Sequence, residues 1–304
     1  MSAPLITRPM LVTYTDVVQH VGLVVHDRVI NLEEFLGTAI LTMNDVIDEW
    51  QAWGSLVGEV AARMEHGAGR ALAEYRLAPP IPRPRRNPFL IAGNYQSHVL
   101  AGERASGIPY SQRKQAIFFT KPSGSIIGNL DDIQFDPDLT QKLDYELELV
   151  VIIGRTGRDI PVDRAMDYVF GYSVGNDISA RDIQAAKPTT DFLRGKGLDT
   201  FFPMGPGIVP RDFLPDYRDC QMTLSVNGQV KQSATPAEMT RDVPEIIADL
   251  SRGLTLEAGD IIATGTPSGV QNESLDPVWL QDGDEVISEI EGLGKLVNHV
   301  RMTR

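Results

Sequence analysis

The sequence predicts a β-rich α+β fold in which a small αβ module over residues 1–80 precedes a larger, sheet-built unit over residues 81–304. Three observations carry this expectation. Residues 77–88 hold five prolines, each fixing φ and removing an amide donor, so no helix runs through this seam. Before the seam, residues 21–25 and 29–32 flank His26-Asp27-Arg28 as a short hairpin, and residues 43–53 and 56–66 show helical apolar spacing. After it, short apolar runs at 89–92, 117–120, 147–153, 168–174, 221–226, 260–263 and 284–290 are broken by Gly, Pro and Asp, the texture of a barrel or sandwich. Two helices are expected there. One is short, over 179–186; the other, over 243–252, opens with Pro244 in its first turn and stops at Gly253. No internal repeat, heptad series or low-complexity tail interrupts this pattern.

Composition narrows the function. The 304 residues carry 28 Lys+Arg against 41 Asp+Glu, a formal net charge of −13, which argues against nucleic acid or an anionic membrane as partner because both require a basic footprint. Hydrophobic residues are 42% and charged residues 23%, ordinary globular usage, and a chain of this length buries roughly three quarters of its unfolded surface. Cys220 is the only cysteine, so no intrachain disulfide, CxxC zinc knuckle or Fe–S cluster can form, and a reducing cytoplasm is the expected compartment. Residues 1–16 show no basic stretch followed by an apolar core, and no run approaches the roughly 18–20 apolar residues of a membrane span. A soluble, unexported protein is therefore expected, with Asn272-Glu273-Ser274 a chance glycosylation match.

The chemistry concentrates in a few acids. In Leu143-Asp-Tyr-Glu146-Leu-Glu148-Leu-Val-Val-Ile-Ile-Gly154, residues i and i+2 of a strand project to one side, so Glu146 and Glu148 repel unless a cation or shared proton joins them. Solvated acids at a strand end explain the spacing equally well. The run Phe170-Gly-Tyr-Ser-Val-Gly-Asn-Asp177-Ile-Ser-Ala-Arg-Asp182 then brings Asp177 to the point where strand passes into turn and helix. Three converging carboxylates make an all-oxygen set suited to Mg²⁺ or Mn²⁺. The alternative is that Asp177 or Ser179 simply caps the helix.

These two runs, with Ala263-Thr-Gly-Thr-Pro-Ser-Gly269, Gly93-Asn-Tyr95 with His98, Phe119-Thr-Lys-Pro-Ser123, Gly195-Lys-Gly197 and Val243-Pro-Glu-Ile-Ile247, resemble the fumarylacetoacetate hydrolase superfamily over residues 87–300. The resemblance implies a mixed β-sandwich or roll of that family's type over the larger unit, and a homodimer. It makes Glu146, Glu148 and Asp177 the metal ligands. Lys196 would stand beside the metal to stabilise developing negative charge, and its flanking glycines allow close approach. Arg181 and Gln184, four and seven residues after Asp177, fall on nearly one helix face and become substrate contacts. Thr266 follows the apolar run 260–263 in a tight turn that would receive a carboxylate.

His98 resembles the family's lid histidine, a base partnered by a glutamate three residues on. That place is Ala101 here, and Glu103 is the nearest downstream acid, so either Glu103 is the partner in a different helical register or the His–Glu dyad is absent. Gly102, Gly107 and Pro109 predict a mobile loop that orders over ligand. Ser123 and Ser179 lack a nucleophile elbow, acid-flanked Cys220 is no thiolate, and no Walker or dinucleotide motif is present. The function implied is a metal-dependent hydrolase cleaving a carbon–carbon bond in a small acylpyruvate or related 1,3-dicarbonyl oxo acid. Oxaloacetate decarboxylation, isomerisation or lyase and dehydratase chemistry on a 2-oxo acid is the alternative, and a non-catalytic cation-binding protein the second.

Overall fold

A single strand organises the molecule. In the computed structural model, which describes residues 6–39, 42–64, 67–107, 116–185 and 190–303, the apolar run after Glu146 forms the strand Leu147–Ile153, buried at every position. Its side chains alternate between faces. Leu147, Leu149, Val151 and Ile153 enter one hydrophobic cluster, while Val150 and Ile152 enter another on the opposite face.

That strand lies inside a twelve-stranded mixed sheet. The order runs Arg70–Ala71, Arg28–Asn31, Gln19–His26, Ile6–Thr15, Phe202–Pro210, Val169–Asn176, Leu147–Ile153, Ile261–Ala263, Phe89–Ala92, Ile117–Thr120, with Arg76–Leu77 and Ile126–Ile127 paired to its side. A five-stranded sheet, ordered Gln229–Ala234, Met222–Val226, Glu285–Ile290, Gly294–Met302, Asp132–Phe135, shares the first cluster through Met222, Leu224, Ile290 and Leu296. The helix Val243–Leu250 closes this layer, and Asp242 caps it in a capping box with Glu245. The second face is covered by the N-terminal helices Met43–Asp48 and Trp50–Met64, whose Val57, Val60, Ala61 and Met64 are buried at i, i+3, i+4 and i+7. This is the sheet-rich α+β architecture expected.

Three local expectations change. The predicted helix over 43–53 breaks at Glu49 into two. In the helix predicted over 179–186, Ser179–Ala180 is instead a strand paired with Leu143–Asp144, and only Arg181–Gln184 is helical; residue 186 lies outside the described residues. Phe202–Pro210 is a fully buried central strand that the sequence conceals, because Pro203, Gly205, Pro206, Gly207 and Pro210 read as turn residues. Its register with Val169–Asn176 jumps between Tyr172 and Val174, which leaves Pro206 and Gly207 outside the paired positions. The proline seam marks a change of texture, yet the sheet crosses it: Leu11 pairs with Ile208, and Trp50 lies edge-on to Phe170 at 5.0 Å.

Candidate active site

Antiparallel pairing of Leu147–Ile153 with Val169–Asn176 sets Glu148 opposite Gly175 and brings Asp177 to Glu146, where its N–H donates to the Glu146 carbonyl at 2.8 Å. Asn176 Oδ1 accepts the Glu146 N–H at 2.9 Å, so the strand ends are pinned on both sides. On the other flank, Thr264 follows Ile261–Ala263 and donates from both N–H and Oγ1 to the Leu149 carbonyl. This delivers the Gly265 N–H to Glu148 Oε2 at 2.8 Å. Glu146, Glu148 and Asp177 are all buried, and their ligand atoms lie within 4.8 Å of one another.

Gly265 holds φ +88°, and a Cβ there would meet Asn94 Cβ at 2.9 Å. Gly265→Ala is expected to destabilise the fold by about 1–3 kcal/mol and to pull the amide from Glu148. A thermal melt read beside Mn²⁺ affinity checks it, with both expected to fall.

Cations surround two of the three acids. Lys196 Nζ bridges Glu146 Oε2 at 2.8 Å and Asp177 Oδ2 at 2.6 Å. Arg181 donates from Nε to Asp144 Oδ2 at 2.8 Å and from Nη2 to Glu146 Oε1 at 2.7 Å. Lys121 Nζ donates to Asp177 Oδ1 at 2.5 Å. No ion pair reaches Glu148 among the described residues. Burial alone would raise the Glu146 carboxyl, but Lys196 and Arg181 override it and hold Glu146 well below the usual range. Burial also raises Glu148, and there Asp177 and Glu146 push the same way, so its carboxyl stands well above the usual value. Burial works against the Lys196 charge, which Asp177 and Glu146 more than restore. Three buried carboxylates, one of them lacking a cationic partner, fit a hard divalent cation held through oxygen.

A cavity of about 240 Å³ opens over these groups, lined by Glu146, Glu148, Arg181, Gln184, Lys196, Thr266 and His98. That is below the range typical of drug-sized ligands and suits a small acid. Phe119 and Phe192, stacked at 4.8 Å, wall one side. Lys196 arrives from the helix Phe192–Lys196, capped by Asp191. This approach requires glycine at 195, where a Cβ would lie 2.5 Å from Gln184 Cβ.

The expected residues thus converge, with revised roles. Three nitrogens of Arg181 are engaged, the third donating to Gln184 Oε1 at 3.0 Å, so Arg181 first positions Asp144, Glu146 and Gln184. Because a guanidinium only donates, Gln184 turns its oxygen to Arg181 and keeps its amide N–H groups for the cavity. Thr266 Oγ1 accepts from Gln232 Nε2 at 2.8 Å, leaving its O–H to donate. Asp177 lies beneath the cavity floor, fully buried. Glu103 is replaced: the carboxylate at His98 Nδ1 is Glu273 Oε1. His98 and Glu103 share the helix Gln96–Ser106, where a separation of five residues turns the second side chain about 140° from the first. Gly102 is inside that helix and Gly107 is its left-handed cap, φ 67°; Pro109 lies outside the described residues.

Sequence reading missed Glu273, Lys121 and Asp144. Glu273 is 175 positions from His98 and belongs to the turn Gln271–Glu273, held there by the Gly269 N–H on Oε2 at 2.8 Å. No local spacing could reveal it. Lys121 stands in the Phe119-Thr-Lys-Pro-Ser123 run, and its signal was a lysine at the end of an apolar strand.

Comparison with known proteins places the chain in a family. The family model described as fumarylacetoacetate (FAA) hydrolase C-terminal matches residues 88–301. The chain is 40% identical over 230 residues to oxaloacetate tautomerase YisK of Bacillus subtilis (strain 168), covering 76% of this chain and 74% of that protein. It is 36% identical over 272 residues to the mitochondrial oxaloacetate tautomerase FAHD2A of Bos taurus, covering 90% and 83% respectively. Among solved structures, maleylpyruvate hydrolase from Sphingobium sp. SYK-6 in complex with manganese(II) ion and pyruvate aligns with a TM-score of 0.76 at 28% identity, over 97% of this chain and 100% of that one.

Proposed function

Because this chain belongs to the fumarylacetoacetate hydrolase family and is one of its enzymes, we propose that it interconverts the keto and enol forms of a small 2-oxo diacid of the oxaloacetate type. The observation that carries this reading is a histidine, His98, fixed by Glu273 at the rim of a small cavity floored by the Glu146, Glu148 and Asp177 cluster. The names of the tautomerase relatives favour such an isomerisation over the carbon–carbon hydrolysis expected first.

Glu146, Glu148 and Asp177 would hold the divalent cation, Mg²⁺ or Mn²⁺, whose chemistry is Lewis-acid polarisation of a 2-oxo group. The neighbour carrying manganese and pyruvate supports both ion and substrate class. Glu273 accepts the Nδ1 proton of His98 and leaves Nε2 as the basic nitrogen. His98 then takes a proton from the carbon beside the 2-oxo group and returns it to oxygen. Lys196 neutralises negative charge developing on that oxygen, while the Thr266 hydroxyl and the Gln184 amide orient the carboxylates. Among the described residues no helix is long and apolar enough to cross a membrane. A homodimer in the cytoplasm belongs to this proposal, and sedimentation of the purified protein tests the dimer.

The test follows the ultraviolet absorbance of enol-oxaloacetate in stopped flow with Mg²⁺ or Mn²⁺. The expected result is decay faster than in metal-containing buffer alone. The same dyad can activate water, so cleavage of acylpyruvates without acceleration of enol decay would instead establish the hydrolase.

A further inference from the structure

Lys121 is the ammonium group of this site that does not line the cavity. It follows the strand Ile117–Thr120 and is fully buried. Its Nζ donates to Asp177 Oδ1 at 2.5 Å, to the Ile178 carbonyl at 3.1 Å and to the Phe201 carbonyl at 2.6 Å. An ammonium group has three N–H bonds, so none remains for a ligand. Asp177 is thereby held between two lysines, with Lys196 on Oδ2 facing the cavity and Lys121 on Oδ1 in the interior. Removing an ammonium from water so completely is costly, and Lys196 already pairs with the same carboxylate.

The buried charges suggest what Lys121 does there. Four carboxylates, Asp144, Glu146, Glu148 and Asp177, stand with three cations, Lys121, Arg181 and Lys196. A bound divalent cation makes this cluster net positive by one charge, whereas without Lys121 the same cluster would be neutral. The Glu273 carboxylate at the rim lowers both sums by one, so in either count Lys121 shifts the site by one charge in favour of a dianionic substrate.

We propose that Lys121 is a positioning residue that fixes Asp177 from behind and, through its positive charge, weakens the site for the divalent cation while strengthening it for a dianionic 2-oxo acid. This rests on the cation-assisted reading above. At an effective dielectric of about 20, a unit charge about 6 Å from another unit charge changes an affinity by up to roughly a hundredfold, and from a divalent ion by up to roughly ten-thousandfold; about tenfold is expected after relaxation and screening.

The experiment titrates Mn²⁺ into metal-stripped protein, and then oxalate into the Mn²⁺-saturated protein, for the wild type, Lys121→Gln and Lys121→Arg. Lys121→Gln keeps a donor and loses the charge; it is expected to bind Mn²⁺ about tenfold more tightly and oxalate about tenfold more weakly. Lys121→Arg, which keeps the charge, is expected to stay near the wild type on both. A purely structural lysine would lower both affinities in Lys121→Gln, and either that result or no change overturns the proposal. Should Lys121→Gln not fold, Lys121→Arg decides: wild-type values support the role of charge, and a tenfold loss of oxalate affinity refutes it. If the wild type itself binds no Mn²⁺, the proposed function fails and takes this inference with it; wild-type binding with the wrong variant pattern overturns the role of Lys121 alone.

Discussion

Glu148→Gln is expected to abolish the response of the protein to divalent cations while leaving it folded. Wild-type protein should melt at a higher temperature with Mn²⁺ than without, because an ion that binds only the folded state stabilises it by mass action. The variant should show the same melting temperature in both conditions. Its metal-free form should match or exceed the metal-free wild type at neutral pH. The reason is the raised carboxyl of Glu148, buried and flanked by Asp177 and Glu146. A carboxyl raised in the folded state takes up more protons there than in the unfolded chain, so stability falls as pH rises from the ordinary carboxylate value of about 4.3 toward the raised one. Glutamine removes that penalty. Loss of oxalate affinity should exceed about a hundredfold, since even supporting residues around a metal contribute 10–100-fold. A variant that still gained thermal stability from Mn²⁺ would remove Glu148 from the ligand set.

The second large effect concerns His98 and Glu273. His98→Ala is expected to lower kcat for tautomerisation by about 10²–10⁴ while leaving Mn²⁺ affinity unchanged, the range supplied by a positioned general base. Glu273→Gln retains shape and removes the charge that fixes the His98 tautomer, so it should lower kcat in the same direction with little change in KM. Glu103→Gln, as the control, should keep full kcat. Steady-state kinetics on the three variants decides between the two carboxylates: an inactive Glu103→Gln beside an active Glu273→Gln would restore the partner expected from the helix and displace the one across the fold.

What the sequence determined by itself was whatever depends on local repeat. The nearly unbroken apolar run after Glu146 reads as a buried strand, and the i, i+2 spacing already places Glu146 and Glu148 together. The Asn-Asp turn delivers Asp177, the flanking glycines announce that Lys196 approaches backbone closely, and Pro244 with Gly253 brackets a helix. Such signals survive because sterics and hydrogen bonding act over a few residues. The tertiary structure decided what depends on elements far apart in the chain meeting in space. Asp144 meets Arg181 because Leu143–Asp144 pairs with Ser179–Ala180. Lys121 meets Asp177 across 56 positions. Glu273 reaches His98 only once the turn Gln271–Glu273 packs against the helix Gln96–Ser106. A buried charge must find a partner, but nothing in the local pattern around His98 or Lys121 says which distant carboxylate it will be; that choice is made by sheet order and register, which the whole apolar core fixes together.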